Sequence, residues 1–290
     1  MSLKLKGDDA VNDGIKVAYQ GERGAYSESA AFSFFKSPIE LKPCRELPDV
    51  FESVEKDETQ YGVVPVENSL EGSVNQTYDL LLESSLKVCG EIVLRVTHCL
   101  IANPQTELKS IRLVYSHPQA LAQCRNFLER LGCPLIPAFD TAGSVKMLKE
   151  ERIMDAAAVA SERAAEIYGM KILAKGIEAN PNNYTRFFVL SKDDSPPSGD
   201  DKTSVIFSTK HVPGALYSAL KEFAVRNINL TKIESRPTKQ KPWEYNFYLD
   251  FEGHRNEKRC RETLEALEKS SAFMKVLGSY PKASEVANIF

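Results

Sequence analysis

Apolar positions along this chain come in short runs divided by polar turns, and their spacing predicts two kinds of folded unit. In the first stretch the runs predict strands at Lys16–Tyr19, Tyr61–Val66, Leu86–Leu94, Arg112–Tyr115 and Ala156–Ala160. Helical patterns alternate with them, over Ser27–Phe35 and from Ser73, Pro118, Ala142 and Ser161. Such alternation is the signature of an α/β domain on a largely parallel sheet. Val88–Ile101 is predicted as one long strand crossing between two lobes, which implies a cleft.

The segment Lys192–Asp201 has no apolar side chain and sets Pro196 and Pro197 close to Gly199, so it is predicted to be a linker. Beyond it the pattern gives strand Thr203–Ser208, helix Gly214–Arg226, strands Ile228–Ser235 and Tyr245–Phe251, helix Asn256–Lys269 and strand Ala272–Leu277. Cys260, Leu264 and Leu267 form an apolar stripe on the second helix. The order βαββαβ is that of a ferredoxin-like split βαβ unit. The predicted partition is a leader at 1–15, a first domain at 16–192, a linker at 193–202, a second domain at 203–283 and a tail at 284–290.

Composition narrows the function classes. A formal charge of -3 gives no global attraction for nucleic acid or an anionic membrane. Arg255, Lys258, Arg259 and Arg261 are interleaved with acids as on a solvated helix face. No apolar run reaches the roughly 18 residues needed to span a bilayer. Met1–Gly14 carries Lys4, Lys6, Asp8, Asp9 and Asp13 without an apolar block, so it reads as a flexible leader and not a signal peptide. The cysteines at 44, 89, 99, 124, 133 and 260 include no C-x-x-C pair, and no histidine stands at zinc-finger spacing. They are expected to be buried thiols in a reducing, cytoplasmic setting, with no metal site.

Candidate chemistry gathers at strand ends. Gln20–Ser27 carries Gly21 and Gly24 before a helix start and offers backbone amides to an anion, or is a plain strand-to-helix turn. Its spacing is neither G-x-G-x-x-G nor a P-loop, so no dinucleotide or ATP is indicated. Glu67, Asn68, Ser69 and Glu71 follow an apolar strand, where open α/β sheets bind ligands and where polar residues also cap helices. Ser116-His117-Pro118 and Asp140-Thr141 repeat that ambiguity, and His117 without a carboxylate partner in sequence ranks second as a general acid. Asn182-Asn183-Tyr184-Thr185-Arg186-Phe187 sets a hydroxyl and a guanidinium at the mouth of an apolar strand. Four polar strand ends together favour a polar cleft over four independent caps.

Gly21-x-x-Gly24-Ala25-Tyr26-Ser27, Pro65-Val66-Glu67-Asn68-Ser69, Ser116-His117-Pro118-Gln119-Ala120-Leu121, Asp140-Thr141-Ala142 and Thr185-Arg186-Phe187 resemble, in order, the signatures of prephenate dehydratases. Pro213-Gly214-Ala215-Leu216 and Glu234-Ser235-Arg236-Pro237 resemble the phenylalanine-binding motifs of the ACT regulatory domain in that family. The resemblance implies a two-lobed, periplasmic-binding-protein-like (type II) catalytic domain plus a ferredoxin-like ACT domain. It implies loss of water and carbon dioxide from prephenate, without cofactor or metal. Thr185 is its implied catalytic residue, supported by Asn68, Ser116 and Gln123, with substrate contacts from Gly24, Ala25, Ser69, Thr141, Arg186 and Phe187. L-phenylalanine is the implied inhibitor, bound between paired ACT domains by Gly214, Ala215, Leu216, Glu234, Ser235 and Arg236 in a homodimer or homotetramer. The fused chorismate mutase of bacterial members is not expected, since few residues precede Lys16. Arogenate dehydratase, with the same chemistry on the transaminated substrate, is the alternative. A two-lobed ligand sensor without catalysis is the other.

Overall fold

The computed structural model describes residues 14–35, 37–239 and 242–283. The leader before residue 14 and the tail after 283 lie outside them. In chain order the strands and α-helices are β1 (Ile15–Gln20), α1 (Tyr26–Phe34), β2 (Ile39–Cys44), α2 (Leu47–Glu55), β3 (Tyr61–Asn68), β4 (Gly72–Ser73), α3 (Asn75–Glu83) and β5 (Lys87–Arg95). Next come β6 (Cys99–Ala102), β7 (Leu113–Ser116), α4 (Pro118–Gln123), α5 (Arg125–Leu128), β8 (Leu135–Pro137), α6 (Thr141–Glu150), β9 (Ala156–Ala160), α7 (Glu162–Tyr168), β10 (Lys171–Lys175) and β11 (Tyr184–Ser191). The last are β12 (Asp201–Thr209), α8 (Ala215–Ala224), β13 (Leu230–Pro237), β14 (Tyr245–Glu252), α9 (Lys258–Ser270) and β15 (Ser271–Pro281).

These residues form two compact units, one of residues 14–77 and 92–187 and the other of 78–91 and 188–283. The first unit has two lobes. One is built on the sheet β2-β1-β3-β11-β5, in which β1 runs parallel to β2 and β3, and β4 hangs on β3. The unit boundary falls inside β5 and β11. The other lobe carries the sheet β10-β6-β9-β7-β8. There β7 is parallel to β8 and β9, whereas β6 is antiparallel to both its neighbours, so this sheet is mixed and not largely parallel. Its central strand β9, Ala156–Ala160, is wholly buried, and small side chains there let helices approach both faces.

The predicted long strand Val88–Ile101 is two strands, β5 and β6, separated by Val96–His98. The ladder breaks because these residues bond elsewhere. Val96 N–H donates to Asn183 O at 2.8 Å, His98 N–H to Glu178 Oε2 at 2.9 Å, and His98 O accepts from Gly176 and Ile177 N–H at 2.9 and 3.1 Å. Strands β2, β8 and β10 and helix α2 are additions to the sequence reading. Helix α2 is set by a capping box between Glu46 and Asp49, a proline in its first turn, and a buried face of Val50, Phe51 and Val54.

The second unit contains the expected βαββαβ arrangement, with an antiparallel sheet in the order β13-β14-β12-β15. Helices α8 and α9 cover one face through Ala219, Phe223, Cys260, Leu264 and Leu267 against Val205, Phe207, Leu249 and Phe251. The other face is buried too. Tyr248 stacks edge-on against Tyr78 of α3 with centroids 4.8 Å apart, and Tyr280 packs on Phe188 of β11. The linker is ordered: Asp201 accepts from Ser198 and Gly199 N–H at 2.9 and 3.1 Å, and Ser195 O meets His254 Nε2 at 3.2 Å. Strand β12 begins at Asp201 and so absorbs the last two residues of the 193–202 stretch. The cysteines are unpaired, and all but the half-buried Cys133 are buried. Among the described residues no helix is long and apolar enough to cross a membrane.

Candidate active site

Strand β3 ends in Asn68, whose position is fixed by the chain that follows it. Its Oδ1 accepts from Leu70 and Glu71 N–H at 3.0 and 3.1 Å, a short turn that points Nδ2 the other way. Nδ2 then meets Asn183 Oδ1 at 2.8 Å, Thr185 Oγ1 at 3.0 Å and Tyr184 O at 3.1 Å. Strand β11 is tied to the same tip through Ser69, whose N–H donates to Tyr184 O and whose Oγ bridges Asn182 O and Tyr184 N, each at 2.9 Å. Asn68 and Thr185 therefore share one hydrogen bond, with Thr185 as acceptor. The Thr185 hydroxyl proton has no protein acceptor among the described residues.

The network continues into the other lobe. Asn183, which is 0% exposed, donates through Nδ2 to Gln123 Oε1 at 2.8 Å. Gln123 Oε1 also meets His98 Nε2 at 3.0 Å, and His98 Nδ1 meets the Tyr26 hydroxyl at 2.9 Å. Of the four residues expected to support catalysis, Thr185, Asn68 and Gln123 stand in one chain of hydrogen bonds. Ser116 does not join it: its Oγ donates to Val159 O at 2.6 Å in the β7–β9 layer. Neither His98 nor a role for Asn183 is legible in the sequence pattern. The only available signal for Asn183 was its place two residues before Thr185.

Gly24 takes φ 89° and its N–H donates to the buried Glu28 Oε2 at 2.7 Å. A Cβ there would stand 2.6 Å from Ala164 Cα, so glycine permits the two lobes to touch. Ser161 Oγ seals the contact on Gly24 O at 2.6 Å. Several amides offered to an anion are already used inside their turns: Gly21 on Cys44 O, Gly24 on Glu28, Ala25 on Glu22 O, and Ser69, Leu70 and Glu71 as above. These six N–H groups have protein acceptors and offer no unused donor to an anion. Ala25 and Thr141 are half-buried at helix starts, Phe187 is buried in the sheet, and Arg186 lies 3.9 Å from Glu67.

Burial lowers the His117 pKa from its ordinary value and raises that of Asp140. His117 caps α4, its Nδ1 accepting from Gln119 N–H at 3.3 Å, and Asp140 caps α6 through Gly143 N–H. Burial also raises Tyr26 well above its usual range, so its hydroxyl keeps its proton. Among the described residues no cluster of His, Cys, Asp and Glu is placed to hold a metal.

In the second unit a cavity of about 600 Å³ is lined by Gly214, Ala215, Leu216, Tyr217, Trp243 and Tyr245, among others. Gly214, with φ 79°, caps α8. Glu234, Ser235 and Arg236 are not among the lining residues. Glu234 lies 3.2 Å from Lys232, and Arg236 Nη2 donates to Asp79 Oδ1 of α3 at 2.9 Å.

The sequence profile described as prephenate dehydratase matches residues 17–195. The bifunctional chorismate mutase/prephenate dehydratase of Aquifex aeolicus is 47% identical over 274 residues, which cover 93% of this chain and 74% of that protein. The chloroplastic arogenate dehydratase/prephenate dehydratase 2 of Arabidopsis thaliana is 46% identical over 286 residues, 94% of this chain and 75% of that one. The solved structure of a prephenate dehydratase from Arthrobacter aurescens in complex with L-Phe superposes with a TM-score of 0.84 at 32% identity, covering 94% of this chain and 93% of that chain. A structure of GqqA, a quorum-quenching acylase, gives 0.85 at 34% identity, covering 93% and 98%.

Proposed function

We propose, since this chain belongs to the prephenate dehydratase family, that it converts prephenate to phenylpyruvate, carbon dioxide and water, and that L-phenylalanine inhibits it. The observation that carries the catalytic reading is the Asn68–Thr185 bond of 3.0 Å. Asn68 Nδ2 donates to Thr185 Oγ1, which leaves the hydroxyl hydrogen to point at a leaving oxygen. As the C–O bond breaks, electrons of the departing carboxylate's C–C bond enter the ring. The hydroxide that leaves takes up a proton and departs as water. A threonine hydroxyl is too weak an acid to stay ionised at neutral pH, so its role is hydrogen bonding to oxygen as charge develops, with the net proton supplied by solvent. Gln123 supports this with Nε2, which has no protein acceptor among the described residues.

The departing carboxylate belongs in a weakly hydrogen-bonded place, because strong pairing would stabilise the ground state. Arg186 and Thr141 are proposed contacts for the other carboxylate. Ser116 is proposed as a brace for strand β7. Residues 16–192 are proposed as the catalytic domain, 193–202 as linker and 203–283 as the ACT domain. Phenylalanine is proposed to occupy the cavity at Gly214–Leu216, whose size suits a small ligand. The exposed Val212, Tyr217 and Trp243 beside it suit a homodimer or homotetramer contact. A cytoplasmic site of action agrees with the unpaired thiols.

Arogenate is the second reading, favoured by the Arabidopsis relative's double name. Acylase chemistry is disfavoured, because it needs a base within reach of the nucleophile and the neighbour of Thr185 is an amide N–H that takes no proton. Turnover of prephenate and arogenate measured side by side, with and without millimolar phenylalanine, tests the proposal. Turnover of neither would overturn it, and equal rates with and without phenylalanine would remove the regulation.

A further inference from the structure

We infer that His98 is a positioning residue for this reaction, holding Gln123 and, through Asn183, the amide of Asn68 in the one orientation that serves Thr185. The inference rests on the dehydratase reading above and adds a residue to it. Amide groups have two ends that look alike, and only their partners decide which end points where. Here the decision starts at the backbone. Leu70 and Glu71 N–H fix Asn68 Oδ1, so Nδ2 must face Asn183 Oδ1. Asn183 then turns Nδ2 to Gln123 Oε1, and an oxygen facing His98 Nε2 at 3.0 Å requires that nitrogen to carry a proton.

His98 is thus the far anchor of a chain whose near anchor is the Asn68 turn. With His98 and Asn183 both donating to Oε1, the Gln123 Nε2 hydrogens are left for substrate. The histidine is itself held firmly. It is 2% exposed, its backbone bonds to Glu178, Gly176 and Ile177, and its ring stands edge-on to Tyr26 with centroids 5.6 Å apart. The Nε2–H tautomer leaves Nδ1 an acceptor, so the single Tyr26 hydroxyl proton, donated to Thr97 O at 2.8 Å, is shared with Nδ1 at 2.9 Å. Removing the His98 donor frees Gln123 to rotate, and a misplacement of that order costs up to about a hundredfold in rate.

The test compares wild type, His98→Met, which keeps bulk without a donor, and His98→Gln, which returns an N–H near the Nε2 position. Steady-state kinetics with prephenate are expected to show kcat lowered about tenfold to a hundredfold in His98→Met, with KM within about threefold, and recovery to within about fivefold in His98→Gln. Circular dichroism reports whether each variant is folded. Nitrogen-15 NMR of wild-type imidazoles is expected to show His98 protonated at Nε2 and not at Nδ1 at pH 7. A folded His98→Met variant with wild-type kcat would overturn the inference, as would equal losses in both folded variants or a proton found on Nδ1 alone. If wild type turns over neither prephenate nor arogenate, the dehydratase reading fails, and the NMR result still decides the hydrogen-bond chain.

Discussion

At position 185 the atom proposed to do the work is a hydrogen, because Asn68 already occupies an oxygen lone pair. Thr185→Ala deletes that hydrogen without disturbing the buried Asn68–Asn183 bond. We expect kcat to fall by about a hundredfold or more with little change in KM, the loss typical of one transition-state donor, while Thr185→Ser keeps most turnover. Steady-state kinetics on both variants checks this, and near-normal turnover of the alanine variant would take Thr185 out of the mechanism. His98 adds a stability prediction. Burial lowers its pKa below the ordinary 6.5, against a smaller opposing pull from Glu178 and the Gln123 bond. A depressed histidine pKa means the unfolded chain binds the proton more readily. The neutral ring's contribution is therefore full above about pH 6.5 and is lost as pH falls toward its folded value. Urea unfolding midpoints from pH 8 to 5 are expected to drop less for His98→Gln than for wild type. Such a residue is hard to read from sequence. Asn68 and Thr185 announce themselves as polar groups at strand ends, but His98 stands between Thr97 and the apolar run Cys99–Ile101 with no carboxylate beside it, and its partner Gln123 is distant in sequence and near only in space.

Helix α3 shows what a pattern reading misses between elements. Its existence is legible from the periodicity after Ser73, and so is the βαββαβ order that follows the linker. What binds them is not. Lys275 of β15 donates to Leu81 O and Leu82 O at 2.9 and 2.8 Å, and to Ser84 O, satisfying carbonyls at the end of α3 that have no partner within the helix. A lysine on a strand carries no sequence mark of capping a helix almost two hundred residues earlier. The same limit explains why β2, β8 and β10 escaped notice: they are short or edge strands with half their side chains in water, and alternation over so few residues is weak. Glycine at 278 is the counterpart on β15. A Cβ there would fall 2.1 Å from Val88 O, so β15 and β5 approach closely only because the position is glycine. Gly278→Ala must push backbone aside, and we expect a loss of roughly 2 kcal/mol or more. A chemical-denaturation midpoint unchanged from wild type would show that the strands separate freely.

For the molecule as a whole, the phenylalanine response has to reach Thr185 through something both regions share, and α3 is a candidate. It begins two residues after β4, which pairs with the Asn68 tip, and from Tyr78 onward it belongs to the second unit with the sheet β13-β14-β12-β15. Arg236 and Lys239 both meet Asp79, at 2.9 and 2.8 Å, and Tyr248 donates to Tyr78 O at 3.2 Å. Arg236 therefore has two possible duties, contact with phenylalanine or a hold on α3, and they separate experimentally. Gly214→Val puts a branched side chain on the cavity lining and strains a residue at φ 79°, so it should abolish phenylalanine binding and inhibition together. Arg236→Met should behave differently if it serves α3. Allosteric coupling is typically about 1–3 kcal/mol and reciprocal, so weakening it changes effector affinity by a modest factor while inhibition fades. We expect calorimetric phenylalanine affinity within about tenfold of wild type for Arg236→Met, with uninhibited kcat retained and maximal inhibition clearly reduced. Loss of binding as complete as in Gly214→Val would instead make Arg236 a phenylalanine ligand and leave α3 without a role in the response.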